Sequence, residues 1–193
     1  MNKPAPRWLP VLAVVAVAAG ATGCSSSHHS AGPTPSGARP TATAVASASI
    51  PGPTPATAII CADEAKFEIS SVIGATPTAP LKPTWTNDLY TCVYHYGPTA
   101  AMTLSVKQLP DQAGEAAYYE SLRHAAGSGA KAVQGLGDQA FSVPDGSVYV
   151  RKDLNVLRVD VHALPARFGN PVRTHRQVGL VVATTIMSCW KEL

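Results

Sequence analysis

Between Ser25 and Ala58 the chain is built almost wholly from Ser, Ala, Thr, Pro and Gly, with His28, His29 and Arg39 the main exceptions. Such a stretch carries too little bulky apolar surface to offset the entropy of ordering it. Folding therefore has to start near Ile59, where the composition becomes that of a globular domain. The roughly 135 residues that follow are enough for one hydrophobic core. We read 24–58 as a flexible tether and 59–193 as a single domain. As a coil of ~34 residues the tether spans roughly 30–35 Å on average, and more where proline stiffens it. Its Thr/Pro/Ala content also suits O-glycosylation, and His28-His29 reads as a solvated pair.

The first 23 residues have the layout of a secretory signal. Lys3 and Arg7 supply positive charge, Trp8 to Ala19 is apolar, and Ala21-Thr22-Gly23 are small. The apolar run is shorter than the ~20 residues a spanning helix needs, and Pro10 and Gly20 interrupt or bound it. Cys24 follows the small residues directly, so the site resembles a lipobox, where bacterial lipoproteins are diacylated and cleaved. Ala21 stands where leucine is commonest. The resemblance implies two acyl chains on Cys24, a stable anchor at about 0.8 kcal/mol per buried methylene. The expected location is the extracytoplasmic face of the cell membrane. The alternative is an ordinary secreted protein cut after an A-x-A-like site.

Charge excludes one class of partner. The formal net charge of +3 falls to +1 once Lys3 and Arg7 leave with the signal. The strongly basic balance of a nucleic-acid binder is missing, and no nucleic-acid partner is expected. The charges are unevenly spread. Cys61 to Val150 carries 5 Lys/Arg against 9 Asp/Glu, and Arg151 to Leu193 carries 7 against 3.

Periodicity gives the domain's elements. Cys61 to Ile73 reads as a helix with Ala65, Ile69, Val72 and Ile73 at helical spacing and Gly74 as its cap. Ala75 to Asn87 reads as a Thr/Pro-rich loop. Leu89 to Tyr96 and Ala101 to Leu109 read as a hairpin, the second strand alternating Met102, Leu104, Val106 with Thr103, Ser105, Lys107. Asp111 starts a second helix that runs to Ala126. Three strands follow at Gln139–Val143, Ser147–Lys152 and Leu154–Ala163, turned by Pro144-Asp145-Gly146 and Lys152-Asp153. Asn170-Pro171 is expected to start the last helix, with Val178, Val181, Val182, Ile186 and Cys189 on its core face. The order α-β-β-α-β-β-β-α predicts an α+β domain, a mainly antiparallel sheet of about five strands with three helices packed on it.

An oxidising compartment favours a disulfide among Cys61, Cys92 and Cys189. Cys61 pairs with Cys92, in the next element, or with Cys189; the first pairing is preferred. No C-x-x-C spacing points to zinc, and no cofactor is expected.

No catalytic motif stands out. Gly135-Leu136-Gly137-Asp138 precedes a strand and lacks a following Lys-Ser/Thr, so it is a turn and not a phosphate loop. No serine lies in a G-x-S-x-G elbow. The candidate binding residues share one sheet face: Arg158, Asp160 and His162, with His95, Thr103, Ser105 and Lys107. If the helices cover only the other face, these form an open polar platform for a ligand, sugar or protein. Otherwise the face is merely solvated. His95, Asp160 and His162 lack the spacing of a metal motif.

The sequence order of these features resembles a known group. A lipobox and tether precede Cys61, which opens a helix ending at Ile73-Gly74. Cys92-Val93-Tyr94, Gln134-Gly135-Leu136-Gly137-Asp138-Gln139-Ala140, Leu154 to Val159 and a final helix follow. This resembles small actinobacterial cell-envelope lipoproteins grouped as a domain of unknown function. More distantly it is similar to extracellular sensor domains of mycobacterial-type receptor kinases. The resemblance covers about Cys61 to Met187, and Cys189 departs from it. It implies surface exposure, an α+β fold and a binding or accessory role, with no catalytic residues. The expectation is a non-catalytic, lipid-anchored envelope protein that binds an envelope protein, glycan or lipid. Its rivals are a structural or antigenic surface lipoprotein without a specific ligand, and an envelope hydrolase.

Overall fold

The computed structural model describes residues 50–190. The signal segment, Cys24 and most of the tether lie outside them. Order begins earlier than the composition break: Pro55–Ala58 forms a single helical turn, α1, capped by the Thr54 side chain. Thr57 in this turn is fully buried and its hydroxyl donates to Asn155 Oδ1 at 3.1 Å. The Thr54 N–H donates to Gln108 Oε1 at 2.8 Å. Two polar partners on the sheet thus recruit a segment whose composition alone predicts no order.

A 3-10 turn, Ile59–Cys61, leads to α2 (Asp63–Ile73), so the helix proper starts two residues after Cys61. Asp63 and Glu64 sit in its first turn, where the helix dipole favours acids. Ala65, Ile69 and Ile73, four residues apart, are completely buried. Gly74 ends it at φ 64° with its N–H on the Ser70 carbonyl at 2.9 Å. A β-carbon there would lie 1.9 Å from the Asn170 carbonyl oxygen, so only glycine fits.

The remaining elements are β1 (Thr84–Thr86), β2 (Leu89–His95), β3 (Ala101–Gln108), α3 (Gln112–Ala126), β4 (Lys131–Val133), β5 (Gln139–Ser142), β6 (Val148–Lys152), β7 (Asn155–Asp160), β8 (Arg167–Phe168), β9 (Arg173–Thr174) and α4 (His175–Trp190). The main sheet has seven strands in the order β1-β2-β3-β7-β6-β5-β4, and every pairing is antiparallel. The α+β class and antiparallel sheet agree with the sequence reading; the counts differ. Two three-residue edge strands, β1 and β4, and the short α1 are too brief to show a periodicity of their own. β1 lies inside the stretch expected to be loop, and pairs Trp85 with Tyr90 across a reversal at Asn87-Asp88.

The last helix also starts later than expected. The Asn170-Pro171 peptide is cis, and the chain continues through β9 before α4 begins. Thr174 opens α4 through a reciprocal cap. The Gln177 N–H meets Thr174 Oγ at 3.4 Å, and the Thr174 N–H donates to Gln177 Oε1 at 2.9 Å.

α2 and α4 pack together on one sheet face. Beneath them Cys92, Tyr94, Met102, Leu104, Val106, Val148, Val150, Leu157 and Val159 form the main core with Val178, Val182 and Ile186 of α4. Each fully buried aliphatic chain there contributes on the order of 1.5–3 kcal/mol. Tyr94 satisfies its buried hydroxyl on the Ile60 carbonyl at 2.8 Å. Cys61 and Cys92 are joined, with Cα atoms 5.5 Å apart and a sequence separation of 31. Closing a loop of that length restricts the unfolded chain by about 3–4 kcal/mol in the entropic account. The bond fastens the start of α2 to β2. Cys189 lies half-buried on α4.

α4 comes very close to the β5–β6 turn. A β-carbon on Gly179 would stand 2.3 Å from the Gly146 carbonyl oxygen and 3.2 Å from Val148 Cγ2. Inside an exposed helix, Gly→Ala stabilises by roughly 0.5–1 kcal/mol. Here the sign reverses: Gly179→Ala should lower stability by about 1–3 kcal/mol, the usual range for overpacking. Urea unfolding followed by circular dichroism measures it, and an unchanged or higher midpoint would show that α4 does not sit this close.

Candidate functional site

The second sheet face is covered unevenly. α3 lies over its β4–β7 side, where Tyr119, Phe141 and Val156 form a small second core with Tyr118, Leu122 and Tyr149 around it. α3 is held by Asp111, whose side chain accepts from the Gly114 N–H at 2.7 Å. It is also held by an ion pair between buried Glu115 and Arg151 on β6, with N···O 3.0 Å. The expectation of an open platform required all helices on the other face. α3 instead closes part of this one, because Phe141, Tyr149 and Val156 are apolar and need cover.

Strand register places the predicted residues. Thr103 stands opposite Asp160, and Ser105 opposite Arg158. Lys107 stands opposite Leu89 on one side and Val156 on the other. Five of the seven predicted residues therefore lie together across β3 and β7. His95 lies at the far end of β2, opposite Ala101, and is exposed. His162 lies just beyond β7, with its ring on the Asp160 carboxylate. Among the described residues no group of three or more His, Cys, Asp or Glu is placed to hold a metal ion.

Asp160 is the hub of this face. Its carboxylate accepts from Arg158 Nη2 at 2.6 Å, from the His162 backbone N–H at 3.1 Å and from the His162 ring Nδ1. The buried Ser147 hydroxyl is 3.4 Å away. Burial alone pushes the Asp160 pKa upward. The hydrogen bonds from His162 and the charge of Arg158 outweigh it and hold the carboxyl below its ordinary 3.8. A serine, a histidine and an aspartate thus meet, but in an order unlike a nucleophilic relay. Such a relay needs the hydroxyl against the imidazole, and the Ser147 hydroxyl faces the carboxylate and is fully buried.

A line of ring contacts links α3 to this hub. Tyr119 meets Phe141 edge-on at 5.4 Å between centroids, and Phe141 stacks on Tyr149 at 4.7 Å. The Arg158 guanidinium lies over the Tyr149 ring, 5.7 Å from its centre. Burial raises the pKa values of Tyr118 and Tyr149, partly offset by Arg158, so both phenols keep their protons at neutral pH. Burial likewise pushes Tyr119 up to about 12.

Where α3 ends its cover, a groove of about 110 Å³ opens, lined by Leu89, Ser105, Lys107, Tyr118, Tyr149 and Arg158. Leu122 and Val156 complete its apolar wall. Sequence reasoning supplied Ser105, Lys107 and Arg158 and missed the two tyrosines and the leucines. The available signal was the doubly apolar character of Ala140-Phe141, Val148-Tyr149-Val150 and Val156-Leu157, which marks strands covered on both faces. A second, more polar depression of about 270 Å³ lies by the Gln134–Asp138 turn and Arg123. In that turn Leu136 is buried.

Compared with known proteins, the chain matches no family model, no curated protein and no solved structure.

The Asp160 hub makes stability depend on pH in a defined direction. A lowered folded-state pKa gives stabilisation that is complete above the ordinary value of 3.8 and is lost as pH falls through the lower folded value. Asp160→Asn should cost about 1.5–3 kcal/mol at pH 7, the range for hydrogen bonds to a charged group. Chemical unfolding across pH should show the two curves converging in the acid range below 3.8. A pH-independent gap would remove the charge from the explanation.

Proposed function

We propose that the chain is a non-catalytic binding module of the cell envelope, held to the membrane by a diacylglyceryl group on Cys24, and that the open half of the second sheet face is its binding surface. The observation that supports the binding role is the uneven cover of that face. A sheet whose faces serve only the core is closed on both sides or solvated evenly. Here α3 stops short and leaves a walled groove. Two cations, three hydroxyl groups and two leucines converge there beside a rigid aromatic stack. Ligand sites combine apolar walls with a few fixed polar groups in this way. The Thr103, Asp160, His162 and His95 end of the face extends the groove into a polar strip suited to a larger envelope partner, whether glycan, lipid headgroup or protein.

The membrane role rests on the signal, the lipobox-like Cys24 and the tether. No helix among the described residues is long and apolar enough to cross a membrane. The charge of the processed chain is too small to bind a bilayer strongly by itself. Cys24→Ala should therefore move the protein from the membrane fraction of its native host to the soluble fraction or medium. Continued sedimentation with membranes would refute the anchor.

The binding face is tested in intact cells with a photo-crosslinking residue at Thr103 or Leu89, and at exposed Ser71 on α2 as the comparison. A specific adduct from the first two positions and none from Ser71 is the expected result. Equal capture from both faces, or capture from neither, would favour a structural surface lipoprotein without a specific ligand.

A further inference from the structure

We infer that the groove between α3 and strands β2, β3 and β7 is a site for a small organic oxyanion, a carboxylate or phosphate borne on a compact apolar or ring-shaped body. This deepens the reading of that face as a binding surface and rests on it.

The charge balance of the lining carries the inference. Lys107 and Arg158 both reach the groove and no acidic side chain lines it. Their acidic partners are not among the lining residues. Asp160 holds Arg158 from the next position but one on β7, and Asp88 lies 3.6 Å from the Lys107 ammonium. Each cation is therefore held by a carboxylate outside the groove lining. The Lys107 ammonium also donates to the Asn87 carbonyl, which fixes it further.

Arg158 shows the unfilled capacity directly. Of its donors, Nη2 is used by Asp160, while Nε is shielded from solvent without a hydrogen-bond partner. Nε is thus out of a solute's reach, but a guanidinium carries five N–H donors, and those that Asp160 does not take suit the oxygens of an oxyanion in the groove. Ser105, directly opposite Arg158 across the β3–β7 pair, adds a hydroxyl. The protonated phenols of Tyr118 and Tyr149 add two more donors on the α3 side.

The walls and size limit the rest of the ligand. Leu89, Leu122 and Val156 are apolar, so the body attached to the anion is compact and apolar or presents a flat face. A volume near 110 Å³ is small for a ligand site, so the group seated in the groove is compact. A chain-like ligand enters by a terminal or pendant acidic group only.

The test uses the full chain in detergent and ligand-observed NMR with benzoate, phenyl phosphate and neutral benzyl alcohol. Saturable binding of benzoate or phenyl phosphate, at least about tenfold tighter than benzyl alcohol, is expected from charge-assisted hydrogen bonds. Benzoate binding alone assigns a carboxylate, and phenyl phosphate alone a phosphate. Lys107→Gln and Arg158→Gln should each weaken the anion about tenfold, with near-ultraviolet circular dichroism confirming the fold. Because Arg158 also braces Asp160, Lys107→Gln is the decisive variant, and Ser105→Trp, which fills the groove, is the second. Equal binding of the alcohol, no binding of either anion, or full affinity in Lys107→Gln and Ser105→Trp overturns the inference. Crosslinking at Thr103 and Leu89 that succeeds while the anions fail leaves the binding face standing with a different ligand.

Discussion

The β3–β7 pairing is the constraint on which the rest of the structure depends. It joins two locally formed units, the β1–β3 meander and the β4–β7 meander, across a stretch that contains α3. Six residue pairs set it, from Thr103–Asp160 to Gln108–Asn155. Side chains alternate faces along a strand, so a slip of one residue would move Leu104, Val106, Leu157 and Val159 out of the core and bring Ser105 and Arg158 into it. The main core and the polar groove are thus two sides of the same register. The pairing also fixes where the chain enters the domain, since Gln108 and Asn155, its last pair, are the residues that hold Thr54 and Thr57.

The two halves of the sheet differ, and their sequences show why. In β3, apolar residues alternate with Thr, Ser and Lys, and along β2 buried positions alternate with more exposed ones, which is the pattern of a sheet covered on one side. In β5, β6 and β7, Phe141, Tyr149 and Val156 interrupt that alternation and demand a second layer. α3 supplies it with Tyr119 and Leu122. The groove lies at the seam, where one pattern gives way to the other. It is therefore a consequence of core packing as much as of any selected polar residue, and the rigid Phe141–Tyr149 stack keeps its floor in place.

Much of this was legible in the residues. The alternation in Met102–Lys107, the Asp111 cap and the Gly74 stop marked their elements, and placing Cys92 in the element after Cys61 favoured the pair that forms. The shared face of Thr103, Ser105, Lys107, Arg158 and Asp160 followed from period-two alternation. Other features escaped because their causes are tertiary. β1 and β4 hold three residues each and exist through pairing with longer neighbours. α1 is ordered by Asn155, almost a hundred positions away in sequence. Asn170-Pro171 looked like a helix start, but Asn170 is drawn to the end of α2, its N–H on the Ile73 carbonyl at 2.7 Å. The acidic early part and the basic late part, which seemed segregated along the chain, interleave through Glu115–Arg151.

The electrostatics of the groove and the proposed tether fit one mode of action. A site this small makes few contacts, and small ligands gain at most about 1.5 kcal/mol per heavy atom even in the best cases. A formal net charge of only +3 gives little long-range field to concentrate an anionic ligand, so the attraction is confined to Lys107 and Arg158 within a Debye length of about 8 Å. Tight capture of a freely diffusing solute is therefore a poor match to this geometry. Were the domain held at a membrane through Cys24, as proposed, a surface-bound ligand would be present at an effective concentration on the order of millimolar. Weak, local recognition becomes sufficient under that condition. The same two cations, each paired with an acid outside the groove lining, then discriminate by charge and shape and not by overall affinity.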